Sequence, residues 1–199
     1  MKSHYLTRLR DRDTNTTDFR LAIKNLSSLI ASDVVSLLPT IPCSVTTPLG
    51  KATGEHLVEG VILVPILRAG LILLPPFIEL LPQAPIGFFG IRREEKTARP
   101  LLYYENIPPL SQKDHILLLD PMLATGGSAV LALRQLQEKN GNLAQALLVT
   151  MIASPEGIQA VDKAFPQVKI YAAAIDEKLD ANKYIFPGLG DIGDRYFGT

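Results

Sequence analysis

Apolar residues fall at Phe19, Ile23, Leu26, Ile30, Val34 and Leu37, in steps of three and four. That spacing predicts an amphipathic helix over 19–38, capped by Thr16 or Thr17 and ended by Pro39 and Pro42. Beyond it the pattern changes to short runs of Val, Ile and Leu at 61–64, 86–91, 116–119, 146–152 and 168–173. Several are apolar at successive positions, which suits strands buried on both faces in a parallel sheet. Helical stripes lie between some of them. Val130, Leu133 and Leu136 mark one over 129–140, with Gly141 placed for a left-handed cap. Ser154 caps another over 155–165, with Pro155 at its first position and Pro166 just past its end. Pro75-Pro76 should start a short helix, because a helix cannot pass through them. The alternation predicts an α/β fold: an open, mainly parallel sheet flanked by helices, with its ligand site at the carboxyl ends of the strands. No repeat or linker divides the chain, so one domain over 1–199 is expected.

Composition narrows the function. The 199 residues carry 20 basic and 20 acidic side chains, for a formal net charge of zero. Charged residues make up 20% of the chain and mean hydropathy is +0.17. Intrinsic disorder is excluded, since it needs low hydrophobicity and high charge, and the greasy balance suits a homo-oligomer. Zero net charge argues against nucleic acid, which selects a basic excess. An anionic ligand must therefore meet a local cluster of Arg and Lys. Cys43 is the only cysteine; it reads as an inert half-buried thiol, a reactive thiol being the alternative. With no disulfide framework, a cytoplasmic location is expected. The first residues run into charges without the apolar stretch of a signal peptide. The apolar segment 57–82 is rejected as a membrane span, because Arg68 at its centre would cost about 2.5–3.5 kcal/mol and Pro65, Pro75 and Pro76 interrupt it.

The chemistry is concentrated after the run at 116–119. There the chain reads Asp120, Pro121, Met122, Leu123, Ala124, Thr125, Gly126, Gly127, Ser128, and then a helix begins. A buried strand would deliver Asp120 to the sheet edge, where its carboxylate can accept from two vicinal hydroxyls. The small residues 125–128 let a phosphate approach the backbone N–H groups that open the helix. No Walker lysine is present, so this is not an ATP loop, and no G-x-G-x-x-G marks a dinucleotide. A ribose 5-phosphate fits. A glycine-rich turn with no ligand is the bland alternative for the glycines alone, but not for the whole string.

That string resembles the phosphoribosyl diphosphate (PRPP) signature of type I phosphoribosyltransferases, and more closely that of uracil phosphoribosyltransferases, in which a proline replaces the second acid. The resemblance extends to Thr7-Arg8-Leu9-Arg10-Asp11 with Phe19-Arg20, to Val64-Pro65-Ile66-Leu67-Arg68-Ala69-Gly70-Leu71, to 93–104, to Ser154-Pro155-Glu156-Gly157 and to 184–199. It implies transfer of phosphoribosyl from PRPP to uracil in pyrimidine salvage, giving UMP and diphosphate. It also implies Mg²⁺ as cofactor, a homodimer or larger oligomer and a GTP effector. By the same resemblance Asp120 to Ser128 hold PRPP with Arg68 and Arg93, the latter on a hairpin hood at about 92–110, where Arg92 is a neighbouring extra. Arg68 lies among apolar neighbours, which by itself calls for an anionic partner or a route to water. A planar guanidinium suits diphosphate oxygens. The resemblance further implies that the C-terminal segment 184–199 reads the base through backbone groups at Ile185, Gly190 and Ile192, and that Asp191 contacts PRPP on the metal side and also lies by the base. Arg68, Arg93, Asp120 and Asp191 would carry the chemistry.

The chain departs from the family in three places. Ile192 stands where Ala is usual, and either narrows the base pocket or turns away from it. Ile72 and Pro75-Pro76 replace an Asp and glycines, and the segment around 38–46 lacks the usual Tyr-Glu-Ala. Ala124 stands where purine-salvage relatives carry an acid, so the loop offers no general base. A non-catalytic relative that binds PRPP or UMP is the alternative function.

Overall fold

The computed structural model describes residues 1–93 and 100–199, with Arg93 described by its backbone alone. In chain order the helices are α1 (Lys2–Arg10), α2 (Thr16–Val35), α3 (Leu74–Leu80), α4 (Gly127–Glu138), α5 (Pro155–Ala164) and α6 (Ile192–Phe197). The strands are β1 (Thr40–Thr47), β2 (Gly50–Leu57), β3 (Val61–Leu67), β4 (Phe88–Arg93), β5 (Pro100–Asn106), β6 (His115–Leu119), β7 (Met122–Leu123), β8 (Ala146–Ala153), β9 (Lys169–Ile175), β10 (Lys178–Leu179) and β11 (Ile185–Phe186). The central sheet runs β5-β4-β3-β6-β8, with β7 and β9 both paired to β8. Its pairings are parallel except β4 with β5. The expected α/β architecture is therefore present.

Both faces of this sheet are covered, and the strand period of two sorts their residues. Leu63, Leu117, Leu119 and Val149 pack with Phe19, Ile23, Leu26 and Ile30 of α2. Ile62, Val64, Ile116, Leu118 and Leu148 pack on the other side with Leu133 and Leu136 of α4 and Val161 of α5. Successive side chains point to opposite faces, so an unbroken apolar run feeds both layers.

The boundaries moved where local chemistry outweighed the apolar stripe. The cap of α2 is Asn15, whose side chain accepts from Asp18 N–H, in place of Thr16 or Thr17. The helix stops at Val35, and Leu37, the last position of the stripe, is exposed. After α4 the left-handed residue is Asn140, with φ 67°, and Gly141 instead donates its N–H to Leu136 O at 2.8 Å. Asn tolerates that region better than other non-glycine residues, which frees Gly141 for close packing under Leu136 O, 2.8 Å from where a Cβ would lie. The start of α3 at Leu74, with proline in its first turn, is as expected. So is the Ser154 cap of α5, which accepts from Gly157 N–H.

Two elements carry no legible apolar period. One is α1. The other is the β1–β2 hairpin, which pairs Thr40 with Leu57 through to Thr47 with Gly50 and is exposed at nearly every position. Cys43 lies on it, partly buried. Among the described residues no helix is long and apolar enough to cross a membrane.

Leu133 is fully buried between α4 and the sheet. Leu133→Ala should destabilise the fold by about 2–5 kcal/mol, read as a lower urea midpoint with an unchanged slope. A loss below about 1 kcal/mol would mean that this layer is not close-packed.

Candidate functional site

The parallel strands end together, and the loops leaving β3, β6, β8 and β9 carry Arg68, Asp120, Ser154 and Asp176. A cavity of about 470 Å³ opens there. Its wall includes Arg68, Ile91 and Arg92, Asp120, Met122, Ala124 and Ser128, together with Ile185, Gly190, Asp191 and Ile192. Two segments far apart in sequence thus face one space. A smaller hollow of about 30 Å³ is lined by Asp120, Met122, Leu123, Ala124, Thr125, Gly126, Gly127 and Ser128. Pro121 is buried beneath this loop, and its carbonyl accepts from Met151 and Ile152 N–H of β8.

The loop has the shape that an anion requires. Gly126 has φ +76°, and α4 begins at Gly127, so the helix N-terminus faces the hollow. Backbone N–H groups and the helix dipole both favour negative charge there. The loop is held from below by the start of α5. Ser154 Oγ donates to Ala124 O at 2.6 Å, and Ser154 N–H donates to Leu123 O at 2.9 Å. Gly157 lies so close that a Cβ would come within 2.4 Å of Ala124 O. The motif Ser154–Gly157 is therefore a buttress for the loop. Its Glu156 reaches the other half of the site, accepting from Leu179 N–H at 3.1 Å, and that bond holds its carboxyl below the usual range.

Arg68 follows β3 with its side chain 62% exposed, so no desolvation cost forces an anionic partner on it. It has the route to water, and it also has a partner: Asp194 of α6 at 3.6 Å, with the Phe197 ring 5.8 Å away. β4 pairs antiparallel with β5, and its Ile91 and Arg92 line the cavity. The Arg93 side chain and residues 94–99 lie outside the described residues. Pro100, the partner of Arg93 in the β4–β5 ladder, stands 3.4 Å from the point a Cβ on Gly127 would occupy, so the end of the ladder farthest from Phe88 and Asn106 meets the 120–128 loop.

Asp191 caps α6, accepting from Asp194 N–H at 3.0 Å. Ile192, the first residue of α6, is 2% exposed and its side chain belongs to the core cluster beside Ile185 and Leu189. Ile192 is thus both packed in the core and part of the cavity wall. Pro75 and Pro76 lie on a separate groove between α2 and α3.

Sequence reasoning missed Lys183, which lines the cavity beside Tyr184, and Asp176, whose side chain is 4% exposed and paired with Arg10. Burial pushes the Asp176 carboxyl up, but the Arg10 guanidinium and the Gly188 N–H outweigh it and hold the carboxyl below its ordinary value. No periodicity marks these residues, and the partner of Asp176 is remote in the chain.

The family model described as uracil phosphoribosyltransferase matches residues 1–199. The uracil phosphoribosyltransferase of Dictyoglomus turgidum is 45% identical over 98% of this chain and 94% of its own. That of Limosilactobacillus fermentum is 43% identical over 98% of this chain and 93% of its own. The solved structure of the AQ2163 protein from Aquifex aeolicus superposes with a TM-score of 0.90 at 35% identity, covering 100% of this chain and 94% of that one. A purine phosphoribosyltransferase from Pyrococcus horikoshii shares the fold, with a TM-score of 0.54 at 12% identity over 78% of this chain and 83% of that one.

Two outcomes follow from the loop and its surroundings. A Cβ on Gly126 would meet Ala160 Cβ and Gly157 O, each at 2.9 Å, at a φ that costs an L-residue about 1–2 kcal/mol. Gly126→Ala should weaken ribose 5-phosphate binding about tenfold or more by calorimetry; unchanged affinity would remove this loop as the phosphate site. For Asp176, a depressed folded-state pKa means stability fully present above the unfolded value of about 3.9 and lost as pH falls through the folded value. Acidification below about pH 4 should therefore cost the wild type more stability than Asp176→Asn, and parallel acid limbs in urea titrations would contradict the pairing.

Proposed function

The chain belongs to the uracil phosphoribosyltransferase family, and from that premise we propose how its residues perform the reaction. Uracil and PRPP give UMP and diphosphate, a step of pyrimidine salvage. The observation that carries this reading is one cavity shared by the glycine-rich loop that opens α4 and the C-terminal segment Lys183–Gly193.

Uracil N1 bonds to ribose C1′ as the C1′–O bond to diphosphate breaks, and the N1 proton is released. The 5-phosphate sits on the N–H groups of Thr125 to Ser128, and Asp120 accepts from the ribose hydroxyls. Positive charge develops on the ribose and negative charge on the leaving diphosphate. Arg68 neutralises the latter, exchanging Asp194 for phosphate oxygens to which its paired donors are better matched. Arg93 completes the cage from the hood and, with the hairpin, keeps water out.

Uracil presents acceptor, donor and acceptor along one edge, whereas cytosine replaces one acceptor with a donor. Backbone groups at Ile185, Gly190 and Ile192 are suited to read that pattern, since fixed donors and acceptors leave an unmet pair with cytosine. Ala124 has no proton-accepting side chain, so the phosphate loop supplies no base at that position.

Among the described residues no group of three or more His, Cys, Asp or Glu side chains could cage a metal, while Asp120 and Asp191 both reach the cavity. That donor set suits Mg²⁺ carried in with PRPP, because Mg²⁺ is commonly held by one or two carboxylates and substrate phosphates. Bound there, it would offset charge on the leaving diphosphate. Ile41, Val45 and Leu49, exposed on the β1–β2 hairpin, support a homo-oligomer.

The test is UMP formation from uracil and PRPP with Mg²⁺, with cytosine, hypoxanthine and orotate in parallel. Uracil-selective turnover is expected. In Asp120→Ala, kcat/KM should fall on the order of 10²-fold, from loss of two charge-assisted hydrogen bonds. Turnover of another base would sink the uracil assignment, and full activity in Asp120→Ala would sink the role of Asp120.

A further inference from the structure

The base segment 185–192 has little regular structure to hold it. Only Ile185–Phe186 pairs as a strand, with Lys178–Leu179, and the backbone passes through positive φ at Gly188 (64°) and Gly190 (78°). A loop that reads a base through its main chain needs those atoms fixed before the base arrives, because ordering them on binding costs affinity. The restraint comes from the opposite end of the chain.

Arg10, the last residue of α1, donates to both carboxylate oxygens of Asp176, at 2.7 and 2.5 Å. It also donates to Gly188 O at 2.9 Å, while Gly188 N–H donates to Asp176 Oδ2 at 2.8 Å. Both backbone polar groups of Gly188 are thus engaged by one ion pair, and the Asp176 side chain is nearly buried. Asp176 is itself tied to the sheet, its N–H donating to Ala153 O at 2.9 Å. The next residue, Ser154, holds the phosphate loop through Ala124 O. A second latch sits beside the first: Arg195 donates to Leu189 O and to Asp11 O, each at 2.7 Å. Its guanidinium lies 4.2 Å from the centre of the Phe19 ring.

We infer that Arg10 and Asp176 are positioning residues for uracil recognition, setting the base-reading backbone through Gly188 and referencing it to the strand end that supports the phosphate loop. This rests on the proposed reading of 185–192 as the uracil site. The pair touches neither substrate. Its removal releases the loop at Gly188 and leaves a half-buried guanidinium or an unmatched Gly188 N–H. Arg10 could not be replaced by Lys without loss, since a single ammonium cannot make the fork to the carboxylate and also reach Gly188 O. A pair that merely stapled α1 to the body would change stability and leave substrate discrimination alone.

The experiment compares wild type, Asp176→Asn and Arg10→Lys in steady-state kinetics with uracil and PRPP varied separately. PRPP binding is measured by calorimetry and folding by urea titration. The expected result is a rise in uracil KM of roughly ten- to hundred-fold, the scale of a hydrogen bond to a charged group. PRPP KM and affinity should stay within about twofold, and the preference for uracil over cytosine should fall. Should Asp176→Asn not fold, Arg10→Lys carries the same comparison. A folded variant with wild-type uracil KM overturns the inference, as does a parallel rise in both KM values. Absence of UMP formation by the wild type overturns the underlying reading as well, and so separates the two failures.

Discussion

Burial of β6 on both faces is the constraint on which the rest depends. Ile116, Leu117, Leu118 and Leu119 are each fully inaccessible to solvent, alternating between the α2 layer and the α4 layer. A strand packed on both sides cannot shift its register by one residue without exchanging its layers. Asp120 is the next residue, so its position at the sheet edge inherits that rigidity. The loop then turns into α4, whose own apolar stripe is buried on the same sheet. The anion site is thus suspended between two elements that the core holds at both ends.

The base segment is fixed by different means. It has little apolar surface to bury, and Ile185, Leu189 and Ile192 are its anchors in the core. Between those anchors, polar latches take over: Arg10 and Asp176 on Gly188, and Arg195 on Leu189. Such latches are directional, which suits the proposed reading of a base through donors and acceptors at set positions. Burial of Ile192 belongs to the same design.

Arg68 joins the two halves. Its ion pair with Asp194 connects the loop after β3 to the helix that follows the base segment. Both groups are substantially exposed, so the pair is weak. That is compatible with exchange for a diphosphate, because an exposed guanidinium can change partners at little cost. The Arg10–Asp176 pair, with its carboxylate buried, is the contrasting case, since breaking it leaves an uncompensated charge.

The amino-acid sequence by itself determined the central strands, the helices α4 and α5 and the glycine-rich turn at 120–128. Burial on both faces leaves an unbroken apolar run whatever the partners are, and small residues ahead of a helix leave their own mark. Resemblance over most of the chain added the base segment, which no pattern of hydropathy would have marked. Tertiary structure decided the rest. It replaced Thr16 by Asn15 as the cap, set Asn140 rather than Gly141 in the left-handed turn, and directed Ile192 into the core. It also formed the β1–β2 hairpin, whose exposed strands carry no apolar alternation. Above all it brought Arg10 to Asp176 across 166 positions of chain. A pairing of that kind has no local signature, because it depends on where the folded sheet and its helices place two distant side chains.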